Sequence, residues 1–308
     1  MLELLSDYGL FLAELLTLAI VVVLAAALII SSAKRSVLQD GLSVEHLNRR
    51  YESMGDTLRR AVEGSEQFKQ ASKQRRKDQK RQAKKGSDRK RIFVLDFKGD
   101  IRASATASLR EEVTAVLAVA RSDDQVLLRL ENPGGTVHEH GLAASQLLRL
   151  KQQALRVIVA VDKVAASGGY LMACVADEII AAPFAIVGSI GVIAQLPNFH
   201  RLLESKGVDF EQVMAGRYKR TLTLFGENTD EGREKLKEEL EEVHRLFKHQ
   251  IAEHRPKVDI DSVATGEHWY GLRALELKLI DRISTSDDFL LDASKTHEIY
   301  GVSYKRRR

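Results

Sequence analysis

The stretch VIVAVDKVAASGGYLMACVADEIIA, residues 157–181, decides the fold. Its two ends, residues 157–161 and 178–181, are short apolar runs of the kind that form buried strands. Between them Ser167 ends a second strand-like run, and the residues that follow it can open a helix whose first N–H groups are free. The stretch therefore predicts strand, turn, helix and strand in succession.

The same alternation continues on both sides of this stretch. Residues 92–97 and 125–130 are further short apolar runs, and amphipathic helical patterns occupy residues 104–120 and 138–152. Strands separated by helices of this length imply right-handed crossovers and a mainly parallel sheet. We predict one α/β domain over residues 92–308, which is long enough to bury a core.

Two more helices are predicted in the second half of the domain. Residues 227–254 are strongly charged, with one apolar stripe formed by Leu236, Leu240, Val243 and Phe247. A stripe of this kind is typical of a packing or oligomer contact rather than a ligand site. A shorter amphipathic helix is expected at residues 271–280.

The amino-terminal part of the chain has a different composition. Residues 10–30 are apolar apart from Glu14 and Thr17, and as a helix they would reach about 31 Å, the thickness of a bilayer core. A cleaved secretory signal is the alternative, but the head carries Glu3 and Asp7 and no basic residue, which is the wrong flank for one. We predict a single-pass membrane anchor over residues 1–33, in the inner (plasma) membrane of the cell.

A basic segment follows this predicted anchor. Residues 69–91 hold twelve lysines and arginines against two aspartates, although the net charge of the whole chain is only +4. Residues 34–91 are interpreted as a solvated helical or disordered spacer that can also attract anionic lipid headgroups. Nucleic-acid binding is disfavoured because no aromatic residues are interleaved for base stacking. The basic spacer favours a cytoplasmic carboxyl-terminal part, but long domains translocate regardless of charge, so the side of the membrane stays open.

Ser167 lies among residues that suit acyl transfer. A serine nucleophile needs a proton acceptor and backbone N–H groups that stabilise the oxyanion. The Gly168 amide follows Ser167 directly, and Gly134 and Gly135 follow a predicted strand and a proline, where their backbone freedom permits a tight excursion. On glycine alone both pairs would be ordinary turns. Together with the serine they predict an oxyanion site built from Gly168 and one amide of Gly134 or Gly135.

The residues alone do not identify the proton acceptor. His138 and His140 are possible, and Glu139 between them invites a metal site, but their spacing places them badly for one helix face, so we interpret them as surface residues. A lysine can serve where burial removes water from its ammonium and lowers its pKa. Lys163 and Lys219 are both candidates, and sequence physics does not choose between them.

Four motifs in order carry a family resemblance. They are Asn132-Pro133-Gly134-Gly135, residues 165–170, Gly188-Ser189-Ile190-Gly191-Val192 and Gly216-Arg217-Tyr218-Lys219-Arg220. The set resembles the signal peptide peptidase A family of Ser-Lys membrane proteases, and with residues 265–271 and the predicted anchor the chain is similar to its shorter SohB-type branch. The resemblance covers residues 92–285 in motif order.

The resemblance implies a fold of the ClpP and crotonase type and a serine endopeptidase. It implies Ser167 as nucleophile, Lys219 as general base and substrate contacts at Ser189 and Gly191. It also implies a homo-oligomeric ring in which neighbouring protomers share the Ser-Lys dyad, acting on peptides or membrane-associated polypeptides such as signal-peptide remnants. The family pattern has serine where this chain has Asn132. The asparagine keeps a polar turn-forming side chain, so we expect activity to be retained.

Two other classes of protein compete with this interpretation. One is a non-catalytic, ring-forming membrane scaffold of the same fold, and the other is a crotonase-like acyl-CoA enzyme. A scaffold needs neither Ser167 nor Lys219, and a crotonase normally works with carboxylates. We expect no metal or nucleotide cofactor, because the sequence has no phosphate-binding glycine loop and no metal-spaced Cys and His cluster. The lone Cys174 is predicted to be a core residue, with no intramolecular disulfide possible.

Overall fold

A seven-stranded sheet organises the protein, whose structure is a computed structural model that describes residues 17, 41–63 and 89–305. The strands are β1 (Leu42–His46), β2 (Arg91–Lys98), β3 (Gln125–Glu131), β4 (Arg156–Val161), β5 (Val164–Ala166), β6 (Glu178–Ala181), β7 (Ile186–Gly188), β8 (His268–Tyr270), β9 (Arg282–Ile283) and β10 (Glu298–Tyr304). The helices are α1 (Leu47–Val62), α2 (Thr106–Leu117), α3 (Val137–Gln152), α4 (Gly168–Ala173), α5 (His200–Ser205), α6 (Asp230–His254), α7 (Ile260–Val263), α8 (Gly271–Glu276) and α9 (Ser286–Ala293).

The large sheet has the order β1-β10-β2-β3-β4-β6-β9. From β10 to β9 every neighbouring pair is parallel. Each strand that the apolar runs predicted is present within one residue of its expected bounds, and a helix separates β2 from β3 and β3 from β4. The predicted α/β class with a mainly parallel sheet is therefore confirmed.

Both faces of the large sheet are covered, because alternate residues of a strand point to opposite faces. In β2, Phe93 and Leu95 join a core with side chains of α2, α3 and α4. Ile92 and Val94 join a second core with side chains of α1 and α9, such as Leu47 and Leu290. This burial on both sides explains why the strands read as continuous apolar runs rather than as alternating patterns.

A second sheet of three short strands, in the order β5-β7-β8, lies beside the functional turn. β5 and β7 are parallel, and β7 and β8 are antiparallel. An isolated parallel bridge between Asn132 and Ala165 joins β5 to the chain that leaves β3. The small sheet thus holds the segment that leads into Ser167 from two sides.

Structured elements occur before residue 92, inside the stretch interpreted as a spacer. Leu47 of α1 is buried against the sheet, and Asn48 donates hydrogen bonds to the Ser294 and His297 carbonyls at 3.1 and 2.8 Å. Arg91, which belongs to the basic run, opens β2 and pairs with Asp124 at 2.5 Å. Burial raises the pKa of the Asp124 carboxyl, but hydrogen bonds from Arg91 and the Arg121 amide outweigh it and hold this pKa below its ordinary value.

The chain divides into two units, residues 44–303 and the two termini. Of the terminal unit the structure describes Thr17, residues 41–43 and residues 304–305, where the Lys305 amide donates to the Gly41 carbonyl at 2.9 Å. The predicted anchor, apart from Thr17, and most of the basic run lie outside the described residues. Among the helices that the structure does describe, none combines the length and apolar character needed to cross a membrane.

Candidate active site

Ser167 lies at the junction of β5 and α4. Its amide donates to the Gly188 carbonyl at 2.8 Å, and its carbonyl accepts from the Leu171 amide at 3.0 Å. Its backbone has φ 51° and ψ −120°, a conformation that costs a residue with a Cβ about 1–3 kcal/mol. The hydrogen bonds on both sides hold this strained geometry, which turns the chain sharply from strand into helix at the serine.

The glycine turn after β3 packs directly against the serine. The Asn132 amide donates to the Val164 carbonyl at 2.8 Å, and the Asn132 carbonyl accepts from the Ala166 amide at 3.0 Å. Gly134 has φ 94°, and a Cβ added there would lie 2.7 Å from the Cβ of Ser167 and 2.9 Å from the Gly168 nitrogen. Only glycine permits both this backbone angle and this approach.

The amides of the two turns differ in their hydrogen bonding. The Gly134 amide donates to Asn132 Oδ1 at 2.9 Å, so it is already occupied. Within the part of the chain that the structure describes, the Gly135 and Gly168 amides have no hydrogen-bond acceptor. Gly135, Gly168 and Ser167 line one cavity, and two free N–H groups near a serine are what an oxyanion requires. Of the two alternatives left open by the sequence, the geometry favours Gly135 over Gly134.

A largely apolar cavity of about 250 Å³ opens at Ser167. Residues of the two turns, α3, α4, the segment after β7 and α6 line it: Gly135, Val137, Gly141, Ala144, Ser145, Leu148, Ser167, Gly168, Leu171, Gly191, Val192, Val243, Leu246, Phe247 and Gln250. None of these lining residues is ionisable. The cavity suits an apolar side chain or an extended apolar segment.

The wall contributed by α6 was not predicted as part of a site. Val243 and Phe247 belong to the apolar stripe that the sequence analysis interpreted as a packing or oligomer contact, and Leu246 and Gln250 flank them. The apolar stripe was the feature of the sequence that could have pointed to this wall. What the sequence could not show is that this face of a helix about eighty residues downstream reaches the serine.

The two residues expected to contact substrate differ in position. Gly191 lines the cavity together with Ser167, whereas Ser189 is not among the lining residues. Ser189 has φ 52°, and its amide donates to the Glu267 carbonyl at 2.6 Å. The segment that follows β7 and carries both residues is nevertheless joined to Ser167, since the Gly188 carbonyl accepts from the Ser167 amide.

Neither candidate lysine lines the Ser167 cavity within the single chain. Lys163 pairs with Glu131 at 3.1 Å in a separate cavity with Asp162, and this hydrogen bond lowers the pKa of the Glu131 carboxyl. Lys219 is exposed in a turn closed by its amide and the Gly216 carbonyl at 3.1 Å. The nearby Arg217 pairs with Glu231 at 2.6 Å, and among the described residues Lys219 itself takes part in no ion pair. Lys163 is thus engaged away from the cavity, and Lys219 is exposed within the single chain.

The interpretation of both histidines as surface residues was wrong for His140. His138 is 80% exposed, but His140 is fully buried. The two residues are two positions apart in the first turn of α3, so they face different directions, and His140 faces the glycine turn. No group of His, Cys, Asp and Glu residues among those described could hold a metal ion.

Cys174 is a core residue, as predicted. It is fully buried behind α4, its Sγ lies 3.3 Å from the Leu171 carbonyl, and burial raises the pKa of its thiol to about 12. The neighbouring Tyr170 is also fully buried and donates its hydroxyl to the Leu279 carbonyl at 2.9 Å. These contacts fix the helix that follows the serine.

An ion pair fixes the end of α6 that leads away from the cavity. Arg255 donates to both carboxylate oxygens of Asp281 at 2.8 Å, and the Ile179 amide donates to Asp281 Oδ2 at 2.7 Å. Burial raises the pKa of the Asp281 carboxyl, but these hydrogen bonds outweigh it and keep this pKa below its ordinary value. The pair ties α6, and therefore one wall of the cavity, to strand β6.

Comparison with known proteins places this arrangement in a family. Two family models match the chain, peptidase family S49 N-terminal over residues 3–147 and peptidase family S49 over residues 149–299. A probable protease SohB of Haemophilus influenzae is 47% identical over 99% of this chain and 90% of its own length. A probable protease SohB of Buchnera aphidicola is 55% identical over 72% of this chain and 66% of its own length.

Solved structures are more distantly similar. A variant of the 1510-N membrane-bound stomatin-specific protease in complex with a substrate peptide is 14% identical, with a TM-score of 0.43 over 67% of this chain and 80% of that chain. The two family models together cover almost all of residues 3–299, and the Haemophilus relative covers 99% of this chain. From these matches we conclude that this chain belongs to peptidase family S49.

Proposed function

We propose that this S49 peptidase is a membrane-anchored serine endopeptidase that uses Ser167 as nucleophile and Lys219 as general base. The observation that carries the proposal is the strained backbone of Ser167, pressed against the Gly134 turn at the mouth of an apolar cavity. Strain of this kind concentrates at functional sites, and here the hydrogen bonds of the Ser167 amide and carbonyl maintain it. A non-catalytic scaffold would have no need of such geometry.

The proposed reaction follows from the positions of the groups. Ser167 Oγ attacks a peptide carbonyl and transfers its proton to Lys219 Nζ, and the Gly135 and Gly168 amides stabilise the oxyanion. Collapse of the tetrahedral intermediate breaks the peptide C–N bond, and the leaving amine takes the proton from Lys219. The neutral Lys219 amine then activates a water molecule, which hydrolyses the acyl-enzyme at Ser167. No metal or cofactor takes part in any step.

We place Lys219 in the active site of the neighbouring protomer of a homo-oligomeric ring. In one chain its side chain is exposed, whereas a lysine base needs surroundings that remove water from its ammonium. The segment that carries it also exposes many large apolar side chains, among them Ile193, Phe199, Leu202, Val208, Val213 and Met214. An apolar surface of this extent is typical of a protein contact, which would bury the lysine as well.

The proposed substrates are extended, largely apolar peptides or membrane-associated polypeptides, such as signal-peptide remnants. The cavity beside Ser167 has no ionisable lining residue, and Gly191 leaves its rim open to a substrate backbone. The apolar residues 10–30 support a single-pass anchor in the inner (plasma) membrane, which would bring the ring to such substrates. Ser189 is proposed to contact substrate from the loop that precedes Gly191.

Hydrolysis of fluorogenic apolar peptides by the full-length chain tests the proposal. We expect Ser167→Ala and Lys219→Ala each to abolish turnover while the oligomer stays intact. When the two inactive variants are co-expressed, a dyad shared between protomers regenerates about a quarter of the wild-type sites in a randomly mixed ring. A dyad within one protomer regenerates none.

The matched control is Lys163→Ala, which removes the other candidate lysine and should retain wild-type turnover because Lys163 pairs with Glu131 away from the cavity. Full activity of Lys219→Ala would refute the assignment of the base. A wild-type protein that forms rings, shows no turnover on any apolar peptide and leaves Ser167 unlabelled by a fluorophosphonate would favour the scaffold instead.

A further inference from the structure

His140 lies, fully buried, between the two turns that carry the proposed oxyanion donors. Its Nε2 is 3.2 Å from Asn132 Oδ1, and its Nδ1 is 2.9 Å from the Thr136 carbonyl. A Cβ added to Gly168 would lie 2.5 Å from His140 Cγ, so the imidazole ring also packs on the backbone after Ser167. One side chain therefore contacts both turns, although it does not line the substrate cavity.

The hydrogen bonds of Asn132 determine which of its side-chain atoms faces His140. Asn132 Oδ1 accepts from the Gly134 amide at 2.9 Å, and Asn132 Nδ2 faces the sulfur of Met172 at 3.3 Å. Rotating the amide group to present Nδ2 to the ring would place two donors against each other at Gly134. The oxygen therefore faces His140. Both ring nitrogens of His140 thus face oxygens that only accept, and the bond to Asn132 forms when Nε2 carries the proton.

Space around Asn132 is too small for another arrangement. A Cβ on Gly99 would lie 2.3 Å from Asn132 Cγ, and one on Gly169 would lie 2.1 Å from the Asn132 carbonyl oxygen. Asn132 is itself fully buried. Water cannot readily replace a missing donor in such a closely packed place, so the loss of the His140 N–H would leave the Asn132 oxygen with the Gly134 amide alone.

We propose that His140 is a positioning residue for the oxyanion site. It donates to Asn132 Oδ1, which orients the Gly134 amide and so aims the next amide, that of Gly135, at the substrate carbonyl. Its ring supports Gly168 from the same side. This inference rests on the proposed serine peptidase function, because the amides that it aligns matter only if an oxyanion forms there.

Two substitutions separate hydrogen bonding from packing. His140→Phe keeps an aromatic ring against Gly168 but removes both ring nitrogens, and with them the donor toward Asn132, whereas His140→Gln can keep one donor toward Asn132. For the full-length enzyme we expect His140→Phe to lower kcat by about tenfold to 100-fold, less than the outright removal of a donor, with KM nearly unchanged. His140→Gln should recover a large part of that loss. His138→Phe, at the exposed position two residues earlier on the same helix turn, is the matched control and should leave kcat unchanged.

A double-mutant cycle tests whether His140 acts through Asn132. Asn132→Ala should lower kcat by itself, and adding His140→Phe should lower it little further, because the shared bond is already absent. Additive losses, or wild-type kcat in His140→Phe, would refute the proposal. A role in packing alone predicts that His140→Phe and His140→Gln change thermal stability but leave kcat unaltered.

Amide hydrogen exchange of residues 130–137 provides a readout that needs no turnover. His140→Phe should accelerate exchange at the Gly134 amide, and unchanged exchange there would overturn the positioning role whatever the activity. If a fluorophosphonate fails to label Ser167 in the wild-type chain, the proposed function fails, and the exchange result still decides the role of His140. The two failures are therefore distinguishable.

Discussion

Replacing Gly134 with alanine should inactivate the enzyme more strongly than it destabilises the fold. The backbone at Gly134 has φ 94°, and the new Cβ would meet the Ala166 oxygen and Ser167 Cβ, each at 2.7 Å. The positive φ costs about 1–3 kcal/mol, and relief of the contacts must shift the turn. A shift that removes the Gly135 amide from the oxyanion would lower kcat by about 100-fold to 1,000-fold.

The assay compares kcat on a fluorogenic apolar peptide with the free energy of unfolding in urea, for Gly134→Ala and for Gly207→Ala. Gly207 has φ 67°, and a Cβ there would find no atom within 4 Å, so this control shares the backbone penalty without the contacts. We expect Gly207→Ala to lower the free energy of unfolding by about 1 kcal/mol and to leave kcat unchanged. Equal kcat in the two variants would refute the role assigned to the glycine turn.

Three further predictions concern the cavity and the ion pair at the end of α6. Phe247→Ala should cost about 3 kcal/mol of stability. It should also shift the preference among peptides toward those with the bulkiest apolar side chain, measured as kcat/KM over a series of such peptides. An unaltered preference would show that Phe247 does not determine which side chain the cavity accepts. Gly141→Ala adds a Cβ with no neighbour within 4 Å inside α3, so it should raise stability by about 1 kcal/mol and, because Gly141 lines the cavity, disfavour those same bulky side chains. Asp281→Asn should cost about 2 kcal/mol at pH 7, a moderate value because the carboxylate is 39% exposed. Because the pKa of Asp281 is lowered in the folded protein, its contribution is complete above the unfolded pKa and is lost as the pH falls through the folded pKa. The stability gap between wild type and Asp281→Asn, from urea unfolding at several pH values, should therefore narrow below about pH 4, and a constant gap would contradict the sign of the pKa shift.

The large sheet was predictable because its signal is local. Residues 92–97 and 157–161 are continuous apolar runs, which is the pattern that burial on both faces of a parallel strand produces. The turn from strand into helix at Ser167 was predictable for a similar reason, since Ser167 and the glycines that follow it are adjacent in sequence. Strand β5 is the strand-like run expected before Ser167, whereas β7 and β8, with three residues each, are too short to show a periodicity.

The remaining parts of the site depend on contacts between distant residues. His140 looks like an exposed residue at a helix start, and only the packing of α3 against Gly168 shows that it is buried. The α6 wall reaches Ser167 through tertiary structure that no local pattern encodes. Lys219 stays a prediction, because its proposed partner belongs to another copy of the chain and a single chain holds no such contact.

The division of the cavity between two kinds of structural element has an evolutionary consequence. The proposed reacting atoms are held by backbone geometry at the ends of β3 and β5, where close approach of backbone atoms restricts substitution. The opposite wall consists of ordinary side chains of α6, such as Val243, Leu246 and Gln250. Related proteins can therefore change the side chains of the helix, and with them the substrate preference, while the backbone around Ser167 stays the same. A library randomised at those three positions would produce the same variation in the laboratory.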